Sequence, residues 1–374
     1  MVTIKEISSK KDITQFVKFP FKLYKNNPYW VPSLIKDEVD SFDKNKNPVF
    51  EHAEARFFLA YKDDEIVGRV IAIINRYEIN DQNIKKMRFG WFDFIDDYEV
   101  SKALLNKVYE IGKSHQLEYI EGPVGFSNLD KVGVLTEGFD QLGTMISWYN
   151  YPYYTDHLEK LDYRKEKNFD ESYFNVKDID ITNYRRMAEL VQDRYKLKPL
   201  NFTRSKDIFP YVDEMFDVFD NTYSKLSSFV PISAKQKAFF KKKFISLINP
   251  EYIKFVLNEE GKMVAFAITL PSFAKALQKT KGKLFPLGFW HLLQARKNSK
   301  EVLFYLIGIL PEYKRKGPAA IIMNEFYKTY HERGIEIAYR SAELEDNTEI
   351  HLLWKNFNPV YHKRRSTYRK DIEY

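Results

Sequence analysis

Near the start of the chain two apolar stretches, residues 56–62 and 65–74, flank Asp63-Asp64, a pattern that predicts a β-hairpin. The same grammar returns far downstream, where residues 252–257 and 262–268 flank Asn258-Glu259-Glu260-Gly261. Helical periodicity precedes each hairpin, over 12–25 in the first half and over 183–196 and 234–247 in the second. A strand, a helix and a strand follow each one: 87–95, 99–115 and 117–121, then 302–310, 319–333 and 335–341. The recurrence predicts a duplicated α+β chain, each half a mixed, mostly antiparallel sheet flanked by helices. Its boundary falls at Asp178-Ile179-Asp180-Ile181-Thr182, giving halves 1–178 and 179–374.

The halves differ in two places. About 30 residues, 271–300, are extra in the second half, and within them 285–297 reads as an apolar helix edged by cations. Its expected role is to cap a sheet; a lid over an acceptor pocket or a lipid-facing helix with weak peripheral membrane contact are the functional alternatives. The second difference is the turn that opens the later helix. In the second half it is Ile309-Leu310-Pro311-Glu312-Tyr313-Lys314-Arg315-Lys316-Gly317-Pro318-Ala319-Ala320, which reads as strand, basic loop and helix start. Such a loop aims backbone N–H groups and the positive end of a helix dipole at one point, as a phosphate cradle does. In the first half the equivalent is Asp93-Phe94-Ile95-Asp96-Asp97-Tyr98-Glu99, acidic and without glycine, which repels a pyrophosphate.

Composition narrows the chemistry. The 374 residues include 44% hydrophobic and 30% charged positions, with a net charge of +7, the profile of a globular protein with anionic partners. No apolar run approaches the roughly 20 residues of a membrane span, and the N-terminus carries no apolar leader; a cytoplasmic protein is expected. Zero cysteines exclude disulfides and thiol nucleophiles. The seven histidines show no metal-ligand spacing, so no metal site is expected, and no nucleotide-binding or hydrolase motif is present.

Taken with its context, the basic loop resembles that of the GNAT superfamily of acyl-CoA N-acyltransferases, whose phosphate loop has the form Q/R-x-x-G-x-G/A. Lys314 stands at the Q/R position, Gly317 at the first glycine and Ala319 at the last small position; a strand at 335–341, Asn347, a helix at 352–357 and a strand at 361–370 follow in the family's order. The first half resembles GNAT in order but not in its loop. Its segments Gly122-Pro123-Val124-Gly125-Phe126-Ser127-Asn128, Glu137-Gly138-Phe139-Asp140 and Tyr149-Asn150-Tyr151-Pro152-Tyr153-Tyr154 are similar to those of an uncharacterised group of bacterial tandem GNAT-like proteins.

The resemblance implies an acyl-CoA-dependent N-acyltransferase, with acetyl-CoA or a longer acyl-CoA as co-substrate and an unidentified amine as acceptor. It puts the cofactor on Ile309, Lys314, Arg315, Lys316, Gly317, Pro318, Ala319, Ala320 and Asn347. It also puts an oxyanion donor on the backbone of Ile307, Gly308 and Ile309. The family's usual acid, a tyrosine one helix past the asparagine, falls at or beside Trp354, which cannot deliver a proton; Tyr361 is the substitute. With no carboxylate in 304–309, Glu343, Glu345 and His351 are the remaining base candidates, and the catalytic set is Glu345, His351 and Tyr361. A non-catalytic acyl-CoA-binding module is the alternative function. Nucleic-acid binding through the basic run 362–370 ranks below both, since no recognition motif accompanies it. The oligomeric state is open.

Overall fold

The computed structural model describes residues 1–127, 129–224, 229–241 and 248–374, and it divides into two units. The first comprises Met1–Asp170, Phe273–Leu293 and His362–Tyr374, the second Glu171–Ser272 and Gln294–Tyr361. This differs from a single cut after residue 178 because two later segments bury their apolar faces in the first unit.

The main segment of the first unit runs β1 (Thr3–Ile7), α1 (Lys10–Leu23), α2 (Ile35–Ser41), β2 (Ala53–Lys62), β3 (Glu65–Asn75), α3 (Arg76–Asn80), β4 (Lys86–Phe94), α4 (Tyr98–Ser114), β5 (Tyr119–Gly122), β6 (Val134–Glu137) and α5 (Tyr153–Lys160). Strand β7 (Arg164–Asn175) leads to the second unit's α6 (Ile181–Tyr195), β8 (Lys198–Asn201), α7 (Val212–Tyr223), α8 (Ala234–Phe240), β9 (Ile253–Leu257) and β10 (Met263–Pro271). Then come α9 (Ala274–Thr280) and α10 (Gly288–Asn298), followed by β11 (Glu301–Ile309), α11 (Pro318–Arg333), β12 (Ile337–Leu344), α12 (Thr348–Trp354) and β13 (Val360–Asp371). The helix expected over 234–247 is present to Phe240; residues 242–247 lie outside the described residues, as does Asn128.

Both expected hairpins form, and the turn chemistry explains them. Lys62 pairs with Glu65 across Asp63-Asp64, which stand at φ +51° and +61°, the doubly left-handed pattern whose twist matches a hairpin. An aspartate held there is strained relative to glycine. Asp64→Gly is expected to raise stability by about 0.5–1 kcal/mol, measured as a shift in the urea midpoint. Along β2 the side chains alternate: Phe58 and Ala60 join the cluster under α4 with Leu104 and Val108, whereas Phe57 and Leu59 join the one under α1 with Phe16 and Val17. Both faces of this sheet are therefore covered, which accounts for the unbroken apolar run.

The sheet of the first unit orders as β1-β2-β3-β4-β5-β13 and continues to β7, with β6 pairing β13 off this path. Strand β13, between β5 and β7, is the basic run at the C-terminus, antiparallel to β5 from Tyr368↔Gly122 to Asp371↔Tyr119. Lys363 and Arg365 are buried there, while Arg364 meets Asp170 at 3.2 Å and Arg369 meets Asp371 at 2.8 Å. The cations of this run are thus buried or engaged in ion pairs rather than set out as one open basic stripe. Helix α9 also serves this unit. Ala274 and Leu277 pack with Val31, and Gln278 Nε2 donates to the carbonyls of Pro28 and Trp30 at 2.7 and 3.0 Å. Residues 273–293 of the extra segment thus pack within the first unit on α1, α2 and the loop between them, not on a sheet face as expected.

In the second unit the order is β12-β11-β10-β9-β8. Its core joins Val264, Phe304, Ile321, Phe326 and Trp354 with Ala188 and Val191 of α6.

Candidate functional site

Strands β11 and β12 are parallel and pair from Glu301↔Ile337 to Phe304↔Arg340. There the pairing ends, although β11 continues to Ile309 and β12 to Leu344. The cause lies on the other edge of β11: Ile268 of β10 faces Leu306 and Thr269 faces Phe304, so Tyr305 is one residue too many. A bulge of this kind bends and twists its strand, which turns the far half of β11 away from β12.

Helix α7 attends the edge thus freed. Tyr223 Oη donates to the Ile307 carbonyl at 3.0 Å, and Thr222 Oγ1 to that of Ile309 at 3.2 Å. In an extended strand the N–H and C=O of one residue face the same side, so the amides of Ile307 and Ile309 face this side as well. The Leu310 N–H turns the opposite way, to Val264 O at 2.9 Å.

On β12 the Glu343 carboxylate is enclosed, 14% exposed, and pairs with Arg340, which is 2% exposed. It also accepts from Trp354 Nε1 at 3.1 Å. Burial pushes the Glu343 carboxyl above the usual range, against the pull of Arg340. Burial likewise pushes the Tyr223 hydroxyl up to about 12, with the charge of Glu343 adding to the rise. A tyrosine so shifted stays protonated at neutral pH.

The sequence-predicted residues fare unequally. Glu343, weighed beside Glu345 and His351, is the carboxylate inside; Glu345 is exposed in the turn after β12. The His351 Nε2 lies 3.1 Å from the Leu344 carbonyl, to which it donates, since a carbonyl oxygen only accepts. Tyr361 is 50% exposed at the start of β13, and no hydrogen bond ties it to the Glu343 cluster among the described residues. Trp354 is core, its ring 4.7 Å from that of Phe304. The residues missed were Thr222, Tyr223 and Arg340. Helix α7 had a legible signal, the spacing of Val212, Met215, Phe216, Val218 and Phe219 on one buried face, but nothing local told which strand it would meet.

The basic loop takes the expected form. After Leu310 a 3₁₀ turn spans Pro311–Lys316, Gly317 stands at φ +80°, and α11 begins at Pro318. Gly317 is required for two reasons: the left-handed conformation favours it, and a Cβ there would lie 3.1 Å from Val191 Cγ2 of α6. Pro318 and Ala320 turn their side chains inward, so what they and Ala319 present outward is backbone. Lys316 sits 4.1 Å over the Tyr313 ring, and Arg315 is exposed. Lys314 is engaged: it forms an ion pair with Glu349 of α12, in which the two side chains are 37% and 69% exposed. A pair so exposed contributes little and yields readily to a phosphate. The Asn347 side chain caps α12, accepting from Ile350 N at 3.4 Å. The fit to a pyrophosphate therefore rests on the glycine, the helix N-terminus and the cations.

The first unit repeats the strand arrangement and closes it. Here β4 and β5 pair from Lys86↔Tyr119 to Arg88↔Glu121. The loop after β5 then fills the gap: Val124 N donates to Phe89 O at 2.8 Å, and a Cβ on Gly90 would lie 2.5 Å from Val124 O. The N-terminus of α4 is already occupied, since Asp97 Oδ1 accepts from Glu99 N at 3.0 Å while Lys62 pairs with its other oxygen at 2.8 Å. Asp93, at the head of the acidic loop, is an internal anchor that accepts from Tyr24 Oη and Arg69 Nε, both at 2.8 Å. The strand gap and the first turn of α4 are thus both occupied by the chain's own groups. Beside Asp93 lies a cleft lined by Tyr24, Trp30, Glu38, Lys131 and Trp148; no motif had marked it. Among the described residues no cluster of three His, Asp or Glu side chains is placed to hold a metal ion, and no helix is long and apolar enough to cross a membrane.

No protein-family model matches the chain. It is 26% identical to Protein YghO of Escherichia coli K12, over 99% of this chain and 95% of that one. It is 22% identical to the bacterial ceramide synthase of Caulobacter vibrioides, over 98% and 96%. Among solved structures, a tandem GNAT protein from the clavulanic acid biosynthesis pathway superposes with a TM-score of 0.60 at 9% identity, covering 100% of this chain and 99% of that one. A GCN5-related N-acetyltransferase from Sphaerobacter thermophilus does so with a TM-score of 0.54 at 8% identity, covering 100% and 96%.

Proposed function

We propose that this chain, which has the tandem GNAT fold, is a cytoplasmic acyl-CoA-dependent N-acyltransferase whose second unit binds the cofactor and acts on an amine. The observation that carries the reading is the divergence of β11 from β12 beside a left-handed glycine at the N-terminus of α11. Fold neighbours described as N-acetyltransferases and a relative named for ceramide synthesis support it in general terms. The pyrophosphate lies against the amides of Arg315, Lys316, Gly317 and Ala319, with Lys314 released from Glu349; the Ala320 amide is already given to the Gly317 carbonyl at 3.0 Å.

Transfer needs a base for the ammonium proton, donors for the tetrahedral oxyanion and an acid for the thiolate. Glu343 is the base, poised by burial, and the backbone amide of Ile307 or Ile309 is the oxyanion donor. Tyr223, held protonated, supplies the thiolate's proton in place of the missing family tyrosine. Because Glu343 must be ionised to act, the rate rises with pH through an inflection above the ordinary carboxylate range. Glu343→Gln is expected to lower kcat about 100-fold and flatten that limb, with KM for acyl-CoA unchanged. Tyr223→Phe lowers it by about 10-fold or less, since a thiolate is a fair leaving group unaided.

The test pairs thermal shift with thiol release, using acetyl-, medium- and long-chain acyl-CoA over a panel of amines. Stabilisation by acyl-CoA with amine-dependent thiol release is the expected result; no stabilisation by any acyl-CoA overturns the reading. The occupation of the β11 edge by Thr222 and Tyr223 favours one alternative, a binding module without turnover, which predicts stabilisation and no thiol release.

A further inference from the structure

The stretch between β10 and β11 presents a surface that acyl transfer does not use. Phe285, Leu287, Phe289, Trp290 and Leu293 are 77%, 65%, 52%, 56% and 43% exposed. Apolar side chains of this size, gathered in one short turn and the first turns of α10, mark an interaction site rather than the scattered exposure of an ordinary surface.

They are not loose. The segment beneath is anchored by Leu292 and Leu277 in the Val31 cluster. The Ile35 N–H donates to Gly282 O at 2.9 Å, and Gly282, at φ +77°, packs where a Cβ would lie 2.4 Å from Phe21. The apolar side chains therefore point outward from a fixed base.

Charge identifies the occupant. From 271 to 300 the chain contains no Asp or Glu, and its cations are Lys275, Lys279, Lys281, Lys283, Arg296, Lys297 and Lys300. Lys279, Lys281, Lys283 and Lys297 are exposed. We propose that this segment is a membrane-surface anchor, with Phe285, Leu287, Phe289, Trp290 and Leu293 entering the headgroup boundary of an anionic phospholipid bilayer while the surrounding lysines meet lipid phosphates. An apolar face rimmed by cations, with an indole at its edge, is the chemistry of an interfacial helix. A second copy of the chain is disfavoured as occupant, because face-to-face pairing would set against each other two segments whose own charges are all cationic.

The full-length chain is co-sedimented with vesicles of phosphatidylcholine containing 30% phosphatidylglycerol, and with phosphatidylcholine alone, at about 0.1 and 0.5 M salt, a range over which exposed charges become largely screened. Binding to the anionic vesicles at the lower salt is expected, at least ~10-fold tighter than to the neutral ones and weakened at the higher salt. The triple variant F285S/F289S/W290S should lose it at least ~10-fold with an unchanged thermal unfolding midpoint. The charge reversal K279E/K281E/K283E should abolish the preference for anionic lipid. Failure of the wild type to bind anionic vesicles, equal binding by the triple variant, or a concentration-dependent dimer that this variant dissolves would each overturn the proposal. The readouts are lipid binding, self-association and thermal unfolding, so the result stands apart from whether acyl transfer occurs.

Discussion

Replacing Gly317 by aspartate is expected to weaken acyl-CoA binding about 100-fold or more, a loss of about 2.8 kcal/mol, measured by calorimetry with acetyl-CoA and a longer acyl-CoA. The two units supply the argument. Gly317 is the N-cap residue of α11, and the corresponding residue of α4 is Asp97, whose carboxylate takes the Glu99 amide. Gly317→Asp therefore installs in the second loop the arrangement found in the first: a negative charge at the helix end, against the phosphates of the proposed cofactor. A side chain at φ +80°, 3.1 Å from Val191 Cγ2, also displaces the loop. Gly317→Ala separates the two effects, since it keeps the strain and adds no charge. It is expected to cost about 1 kcal/mol of stability and to weaken binding far less than the aspartate. Equal losses for the two variants would mean that shape, not charge, governs the loop; unchanged binding in Gly317→Asp would show that the cofactor does not use it.

Glu121→Gln is expected to destabilise the protein by about 3 kcal/mol, a fall in Tm of roughly 6–12 °C. Glu121 is 3% exposed and lies 2.9 Å from both Lys86 and Lys167. Lys86 is also 3.0 Å from Glu78, which Arg88 grips with two nitrogens at 2.7 and 2.6 Å. Two carboxylates thus hold three cations, and neutralising one leaves buried positive charge uncompensated. Burial alone would raise the Glu121 carboxyl, but the lysines outweigh it and hold it at about 2. A carboxyl whose folded value lies below its unfolded one stabilises the fold above the unfolded value, near 4.5, and loses that contribution as pH falls toward 2. Wild-type stability should therefore drop more steeply than that of Glu121→Gln between about pH 5 and pH 2, followed by urea unfolding at fixed pH values. Parallel profiles would exclude the cluster as the source.

Much of this was legible locally. The hairpins, the strand-helix-strand repeat and the basic loop follow from patterns a few residues long, and each appears within about three residues of its expected limits. The acidic first loop was equally plain, because the sign of a charge needs no partner to interpret it. Helices α2, α5 and α9 escaped notice, being of seven or eight residues, too short for a periodic signal. The catalytic assignment moved furthest. Glu345 and His351 were singled out beside Glu343 by proximity in sequence, but only burial and the approach of Arg340, Trp354 and Tyr223 distinguish one carboxylate from the next.

By itself, then, the sequence determined the two tandem α+β repeats, the form of the basic loop at 309–320 and the apolar segment at 271–300 whose charges are all cationic, since all of these are written in local pattern and charge. The tertiary structure decided which residues meet across distance. It placed the C-terminal basic run inside the sheet of the first unit, closed that unit's strand gap with the loop after β5, and brought Tyr223 from α7 to the opened edge of β11. The physical reason is that pairing register, bulges and burial depend on segments far apart in the chain, and no local pattern encodes the partner.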